Sequence, residues 1–322
     1  MNWLKLSALA CALGCAAPQT HAAEYPTRPI KLVVPYAAGG PTDVLGRMVG
    51  DYLSRDLKQT VVVENKAGAQ GAIGAEVAAR AEPDGYTLFF TAASIVVLNP
   101  QLYKKLPYDP AKDFAPVVLL ASNPSILAVH PSFPARTVKE FVEVVKAKPG
   151  AYSYASAGFG TTHHLAAELF KLAADVDIAG VTYRGAAPAN QDVIAGHVPI
   201  VFDSIGNAMT NVRAGTVRAL AVTATDRSPM LPDVPTMAEA GYPDVISAAW
   251  FAFFVPAKTP PSIVDWLNQH ANAIFAAPDI RERFSNQGVA LPLGSAARLG
   301  GYVDEETRRW GDLVRKAHIQ LP

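Results

Sequence analysis

The stretch VVPYAAGGPTDVLGRMV, residues 33–49, decides how the chain is read. An apolar run stops at Pro35, the chain passes Gly39 and Gly40, and apolar residues then recur at helical spacing from Val44. That pattern is a strand handed to a helix through a turn. A helix is expected over residues 42–55, with Val44, Leu45, Met48, Val49, Tyr52 and Leu53 on one face. Glycine at such a handover has two uses: it lets a tight turn close, or it lets something small reach the backbone.

Outward from this stretch the strand and helix patterns alternate. TVVVEN and YTLFFTA read as further strands, with GAQGAIGAEVAARA as a glycine-rich approach to a small-residue helix between them. This is the rhythm of a parallel sheet covered by helices. The Pro-rich passage NPQLYKKLPYDPAKDFAPVVLL interrupts it. After SILAVH as a strand and TVKEFVEVVKAKPG as an amphipathic helix, the rhythm restarts. AYSYAS leads through AGFGTT to a helix over 162–174, and IAGVTYRG leads to a helix over 187–195. VPIVFDS precedes a helix over 206–214, and RALAVTA follows as a strand. AAWFAFFVPA is a strongly apolar strand able to return to the first unit, and helices over 261–276 and 296–317 close the chain. One unit inserted between two pieces of another makes the chain cross twice, and paired crossings form a hinge.

The 322 residues suit two domains rather than one core. Half of them are hydrophobic and 17% are charged, as in packed α/β proteins. Formal net charge is zero and no Lys/Arg cluster is present, which argues against nucleic acid as a partner. Lys5, the apolar LSALACALGCAA and the small residues of PQTHA predict an export signal over residues 1–22. Both cysteines, Cys11 and Cys15, fall inside it, so the mature chain is expected to carry no thiol. A rival reading lipidates and retains Cys15, although Ala-Leu-Gly before it fits a lipidation site badly. In either case the chain is expected outside the cytoplasm, away from nucleotide cofactors, and no cofactor is expected.

In an open parallel sheet, ligands bind beyond the carboxyl ends of the strands, where loops lead into helix N-termini that favour anions. Three turns qualify: Gly39, Gly40, Pro41, Thr42 and Asp43; Gly158, Phe159, Gly160, Thr161 and Thr162; and Arg184-Gly185. Competing motifs fit poorly. GFGTTH has His163 where a dinucleotide fingerprint needs its third glycine, and AGGPTD lacks the lysine of a phosphate loop. No G-x-S-x-G surrounds Ser156 or Ser204. His163 and His164 are adjacent, so on a helix they diverge by about 100° and cannot chelate one metal. His164 and Glu168 have i, i+4 spacing, for which a structural hydrogen bond is expected over zinc. Asp203, at the end of a strand, suits a catalytic carboxylate, a water-ordering group or a helix cap.

The segments YPTRPIKLVVPYAAGGPTD, ENKAGAQGAIGAEVAA, PDGYTL, KLPYDPAKDFAPV, SAGFGTTHHLAAELF, YRGAAPA, RALAVTATDR and DVPTMAEAGYPD follow in an order that resembles one family. The chain is similar, from about Tyr25 onward, to the extracytoplasmic solute receptors of tripartite tricarboxylate transporters, the Bug family. The resemblance implies a type II periplasmic binding protein fold: two doubly wound α/β domains joined by a two-strand hinge, with the ligand cleft between them. Boundaries of 24–124 plus 251–322 and 125–250 are expected for the two domains. It further implies a small carboxylate ligand, membrane permease subunits as partners, a monomer, and no enzymatic activity. Carried onto this chain, the family's ligand-binding positions are Tyr36, Ala38, Gly39, Gly40, Thr42 and Asp43 in the first loop, with Ser94 nearby. The second loop contributes Ser156, Ala157, Gly158, Phe159, Gly160, Thr161 and Thr162, with Arg184, Gly185 and Asp203 beside it. The family histidine aligns with His164.

This chain departs from the family after the third strand, where SIVVLNP places Ile95, Val96, Val97 and Leu98. With Tyr36, Phe159 and Trp250, these suggest a dicarboxylate or aromatic acid with an apolar body; the alternative is that they fill the core. Two other outputs are weighed against transport. The receptor can report to a membrane sensor, or the chain can be an envelope hydrolase using His163 or His164 with Asp203 and Ser204.

Overall fold

A computed structural model describes residues 25–183, 185–317 and 319; the expected export signal, with Cys11 and Cys15, and the candidate Arg184 lie outside them. The first run of elements is β1 (Ile30–Val34), α1 (Pro41–Leu57), β2 (Val61–Asn65), α2 (Ala72–Ala79) and β3 (Thr87–Ala92). Then come α3 (Asn99–Leu102), α4 (Pro110–Asp113) and β4 (Phe114–Val129). The second run is α5 (Val138–Lys146), β5 (Ser153–Ser156), α6 (Thr162–Ala174), β6 (Ala179–Thr182), α7 (Ala186–Ile194), β7 (Ile200–Ser204), α8 (Ile205–Arg213) and β8 (Arg218–Val222). The chain closes with β9 (Ala248–Pro256), α9 (Pro261–Phe275), α10 (Pro278–Ser285) and α11 (Ala296–Lys316).

The strands line up as β2-β1-β3-β9-β4-β7-β5-β6, with β8 pairing β4. β1 is parallel to β2 and β3, and β5 is parallel to β6 and β7. From Leu32 onward both faces of β1 are covered, which is why LVV is apolar without alternation, while Lys31 near its start is exposed. Leu32 and Val34 enter one hydrophobic cluster with α1 and α9, and Val33 enters another with α2 and α11. In α1 the buried stripe is Leu45, Val49 and Leu53. Val44, expected on that face, is instead 59% exposed, because it lies one residue outside the i, i+4, i+8 row that meets the sheet.

The strand β4 was not visible as one element in the sequence. Its 16 residues, roughly 50 Å of extended chain, absorb both the end of the Pro-rich passage and SILAVH. Phe114–Pro124 pairs with β9, and Ser125–Val129 pairs with β7 and β8. The change of partners falls at Pro124, which has no N–H to give a ladder. There Thr223 stitches the crossings together. Its Oγ1 accepts the Ser125 N–H at 3.0 Å, and its backbone exchanges hydrogen bonds with Ser125 and Ser247. Core residues of segments 30–121 and 250–319 form two clusters, and those of 126–245 form two others; on α6, Leu165 belongs to a cluster of the first group, and the partly buried Leu169 packs against clusters of both. Helix α11 braces the same region: Glu306, buried, accepts the indole N–H groups of Trp250 and Trp310, each at 3.0 Å, and pairs with Arg309. Arg309 also donates to the Ile246 carbonyl.

Candidate functional site

The first loop leaves β1 at its carboxyl end. Gly39 has φ +84°, a conformation that favours glycine, whereas Gly40 has an ordinary φ of −77° and caps α1 with no side chain. The loop is held from beneath. Asp43, 2% exposed, accepts the Gly39 N–H at 2.8 Å, the Arg47 Nε–H at 3.0 Å and the Asn65 amide at 2.8 Å. The same Asn65 amide also donates to the Tyr36 carbonyl. Burial works to raise the Asp43 pKa, but hydrogen bonds from Arg47, the Gly39 N–H and Asn65 outweigh it and hold the carboxyl below the usual carboxylate value. The Asp43 carboxylate is therefore already engaged by donors of its own loop and its neighbours. Ala38 and Gly39 are exposed at the tip, and Thr42 is buried. The Tyr36 hydroxyl shares a hydrogen bond of 2.7 Å with Ser94 Oγ, and burial pushes the Tyr36 pKa up to about 12.

The second loop follows β5. Ser156 Oγ donates to the Gly158 carbonyl at 3.0 Å, Thr161 Oγ1 donates to that same carbonyl at 2.8 Å, and Thr161 Oγ1 also caps α6 by accepting the His164 N–H. The Gly160 N–H points to His164 Nδ1 at 3.4 Å, which makes Nδ1 the unprotonated ring nitrogen. Burial lowers the His164 pKa. Phe159, 39% exposed, lies over the His164 ring at 4.6 Å between centroids. The Gly185 N–H donates to the Ala157 carbonyl at 3.0 Å, so the third turn is fixed to the second. Gly185 leads into α7, which has no side-chain cap. Thr162 begins α6, and its carbonyl lies 3.5 Å from Ser247 Oγ at the hinge.

Asp203, at the end of β7, is saturated: it accepts from the Asn190 amide at 2.7 Å, the Ser204 N–H at 2.7 Å and the Asn207 amide at 3.3 Å. Ser204, and not Asp203, caps α8 through the Asn207 N–H. No hydrogen bond among the described residues joins Ser204 to a histidine, so the hydrolase geometry is not assembled. Glu168 does not meet His164 either; it accepts from the Tyr154 hydroxyl at 2.8 Å and pairs with Lys171 at 2.9 Å, because that cation sits one turn further along the same face. Among the described residues, no three His, Cys, Asp or Glu side chains gather as a metal centre requires.

The structure thus draws the named residues into two constellations, Tyr36–Asp43 with Ser94, and Ser156–Thr162 with Gly185 and Asp203. Leu102, at the end of α3, borders the second: its Cδ1 is 3.7 Å from where a Cβ on Gly160 would stand. Ile95, Val96, Val97 and Leu98 are nowhere in the cleft. They form a buried turn with wide helical hydrogen bonding, none more than 3% exposed, and pack with Phe89 and Trp250. Trp250 is likewise buried, so of the aromatic surface expected only Tyr36 and Phe159 remain accessible. Asn65, Asn190 and Asn207 are the supporting residues that the sequence did not reveal. Asn65 had one legible signal: β2 runs parallel to β1 with Asn65 opposite Val34, so its side chain must flank whatever follows β1.

A family model, the tripartite tricarboxylate transporter family receptor, matches residues 45–319. The protein BugT of Bordetella pertussis is 35% identical over 309 residues, covering 96% of this chain and 94% of BugT. Among solved structures, R. palustris Rpa4515 with adipate is 35% identical with a TM-score of 0.78, covering 92% of this chain and 99% of that one. MatC from Rhodopseudomonas palustris with bound malate is 36% identical with a TM-score of 0.73, covering 90% and 100%. This chain belongs to the TctC, or Bug, family: it is a periplasmic solute-binding receptor of the tripartite tricarboxylate transporter type and not an enzyme.

Proposed function

We propose that the receptor captures a small aliphatic dicarboxylate between residues 24–124 plus 251–322 on one side and 125–250 on the other, and delivers it to the permease subunits of a tripartite transporter. The carrying observation is that two helices at the carboxyl ends of the parallel strands, α1 and α7, each begin after a glycine and have no side-chain cap. Their first N–H groups suit a carboxylate, and each helix N-terminus favours an anion by about 0.3–2 kcal/mol. In this reading Ala38, Gly39, Gly40, Thr42, Tyr36 and Ser94 hold one side of the ligand. Ser156–Thr162, Gly185 and Arg184 hold the other, while Asp43 and Asp203 position them. Adipate in Rpa4515 and malate in MatC are both dicarboxylates, which supports the class. The burial of Ile95–Leu98 removes the ground for an aromatic body.

A thermal-shift screen of the purified protein against mono-, di- and tricarboxylates, aromatic acids and acidic amino acids tests this. A ligand that binds only the folded state raises Tm by mass action. The expected result is a shift with aliphatic dicarboxylates. A larger shift with aromatic acids or citrate than with every aliphatic diacid overturns the ligand class, and no shift before or after refolding from denaturant overturns the carboxylate reading.

A further inference from the structure

Among the described residues around the second loop, every buried side-chain nitrogen or oxygen but one has an internal partner. His164 Nδ1 faces the Gly160 N–H, Glu168 serves Tyr154 and Lys171, and Asp203 is saturated by Asn190, Ser204 and Asn207. The exception is His163, in the first turn of α6. Its Nε2 is buried and has no hydrogen-bond partner among the described residues. The residues below it on the same helical row, Ala167 and Phe170, are buried in the core under the sheet, so the imidazole stands where that core ends and the loops begin. Asp203 is near enough to act on it electrostatically. An imidazole placed this way is a hydrogen-bonding group kept for something that arrives.

We propose that His163 is a specificity-determining contact: its Nε2 hydrogen-bonds the second carboxylate of the ligand, while the first is held by the backbone N–H groups of the loops. The inference rests on the carboxylate reading above and adds which acids are selected, namely diacids over monoacids of equal length. A neutral imidazole suits the task better than a lysine, because burial keeps it uncharged before the ligand arrives, with Asp203 pulling the other way. An incoming carboxylate adds to the pull of Asp203, so the bound state takes up a proton at His163. The other charges near α6 do not replace this effect. Glu168 and Lys171 pair with each other, Glu306 and Arg309 pair on α11, and His164 and Tyr154 are held neutral by burial.

Isothermal titration of the purified protein with adipate and hexanoate, and with succinate and butyrate, tests the assignment. The wild type is expected to prefer each diacid. His163→Leu should weaken binding of the preferred diacid about tenfold or more, and change monoacid binding by no more than about threefold. His163→Gln keeps an N–H at similar reach; it should retain most of the diacid affinity but lose the proton uptake, read from the dependence of binding enthalpy on buffer. Equal loss for diacid and monoacid in the Leu variant shows a structural role and overturns the proposal, as does no loss for either. A wild type that binds none of the four acids overturns the aliphatic-diacid reading on which the assignment rests, an outcome seen before any variant is made.

Discussion

Asp43 shows how one buried carboxylate can hold a loop in shape from beneath. Its two oxygens receive the Gly39 N–H, Arg47 and Asn65, and those bonds are what hold the first loop in shape. Asp43→Asn puts an amide where a donor already points, and should cost about 2 kcal/mol in urea unfolding. Because the folded pKa is depressed, the stabilisation from Asp43 is fully present above the ordinary value of 3.8 and is lost as the pH falls below it. His163 and His164 act in a higher window. Burial lowers both below 6.5, so the unfolded chain binds more protons there and stability falls as the pH drops through that region. Thermal melts between pH 7.5 and pH 5 should show a falling Tm, and His164→Gln should flatten the curve. Gly40 separates binding from folding. Its φ is ordinary and an added Cβ would meet only the Ala37 carbonyl at 3.5 Å. Gly40→Ala should therefore cost about 1 kcal/mol or less and weaken acid binding several-fold by crowding the approach to α1. Gly39→Ala, at φ +84°, should lose stability as well as binding.

At the scale of elements, the helices were read more surely than the strands. The helix expected over 162–174 is α6 to the residue, and 261–276 and 296–317 differ from α9 and α11 by one residue at the end of each. An amphipathic helix writes its period into its own sequence. The strand β4 does not: its prolines read as loop signals, and only pairing with β9 shows that Pro116 and Pro124 stand where the ladder shifts or changes partner. Helix α10 is not legible in the sequence because only Ile280 and Phe284 of its eight residues are buried, too few to write a period. The buried Glu306 joins α11 to β9 through the Trp250 indole and also accepts from Trp310 on its own helix. Removing its carboxylate as Glu306→Ala leaves two buried N–H groups and the Arg309 cation without their partner, and should destabilise by about 3–5 kcal/mol. Glu306→Gln, which keeps an acceptor, should lose less, and denaturant midpoints would separate the two.

For the whole molecule, β4 and β9 run side by side through the junction, and Thr223 ties Ser125 to Ser247 where they cross. If a diacid binds across the cleft, it favours the closed arrangement, and the radius of gyration in solution scattering should fall on addition of the acid that gives the largest thermal shift. A radius unchanged at saturating acid would mean that binding does not move the halves. The sequence by itself determined the fold class, the family and the two glycine loops. These depend on local features: apolar period, turn residues at strand ends, and an ordered set of motifs that survives without knowledge of contacts. It left Ile95–Leu98 open between cleft and core, offered Asp203 as a cap, and paired His164 with Glu168. Only the tertiary structure decided those points, since which way a side chain faces at a strand end depends on what packs across from it. Phe89 and Trp250 take Ile95–Leu98 into the core, Asn190 and Asn207 saturate Asp203, and Tyr154 draws Glu168 away from His164. That His163 Nε2 has no partner among the described residues emerges only once those neighbours are in place.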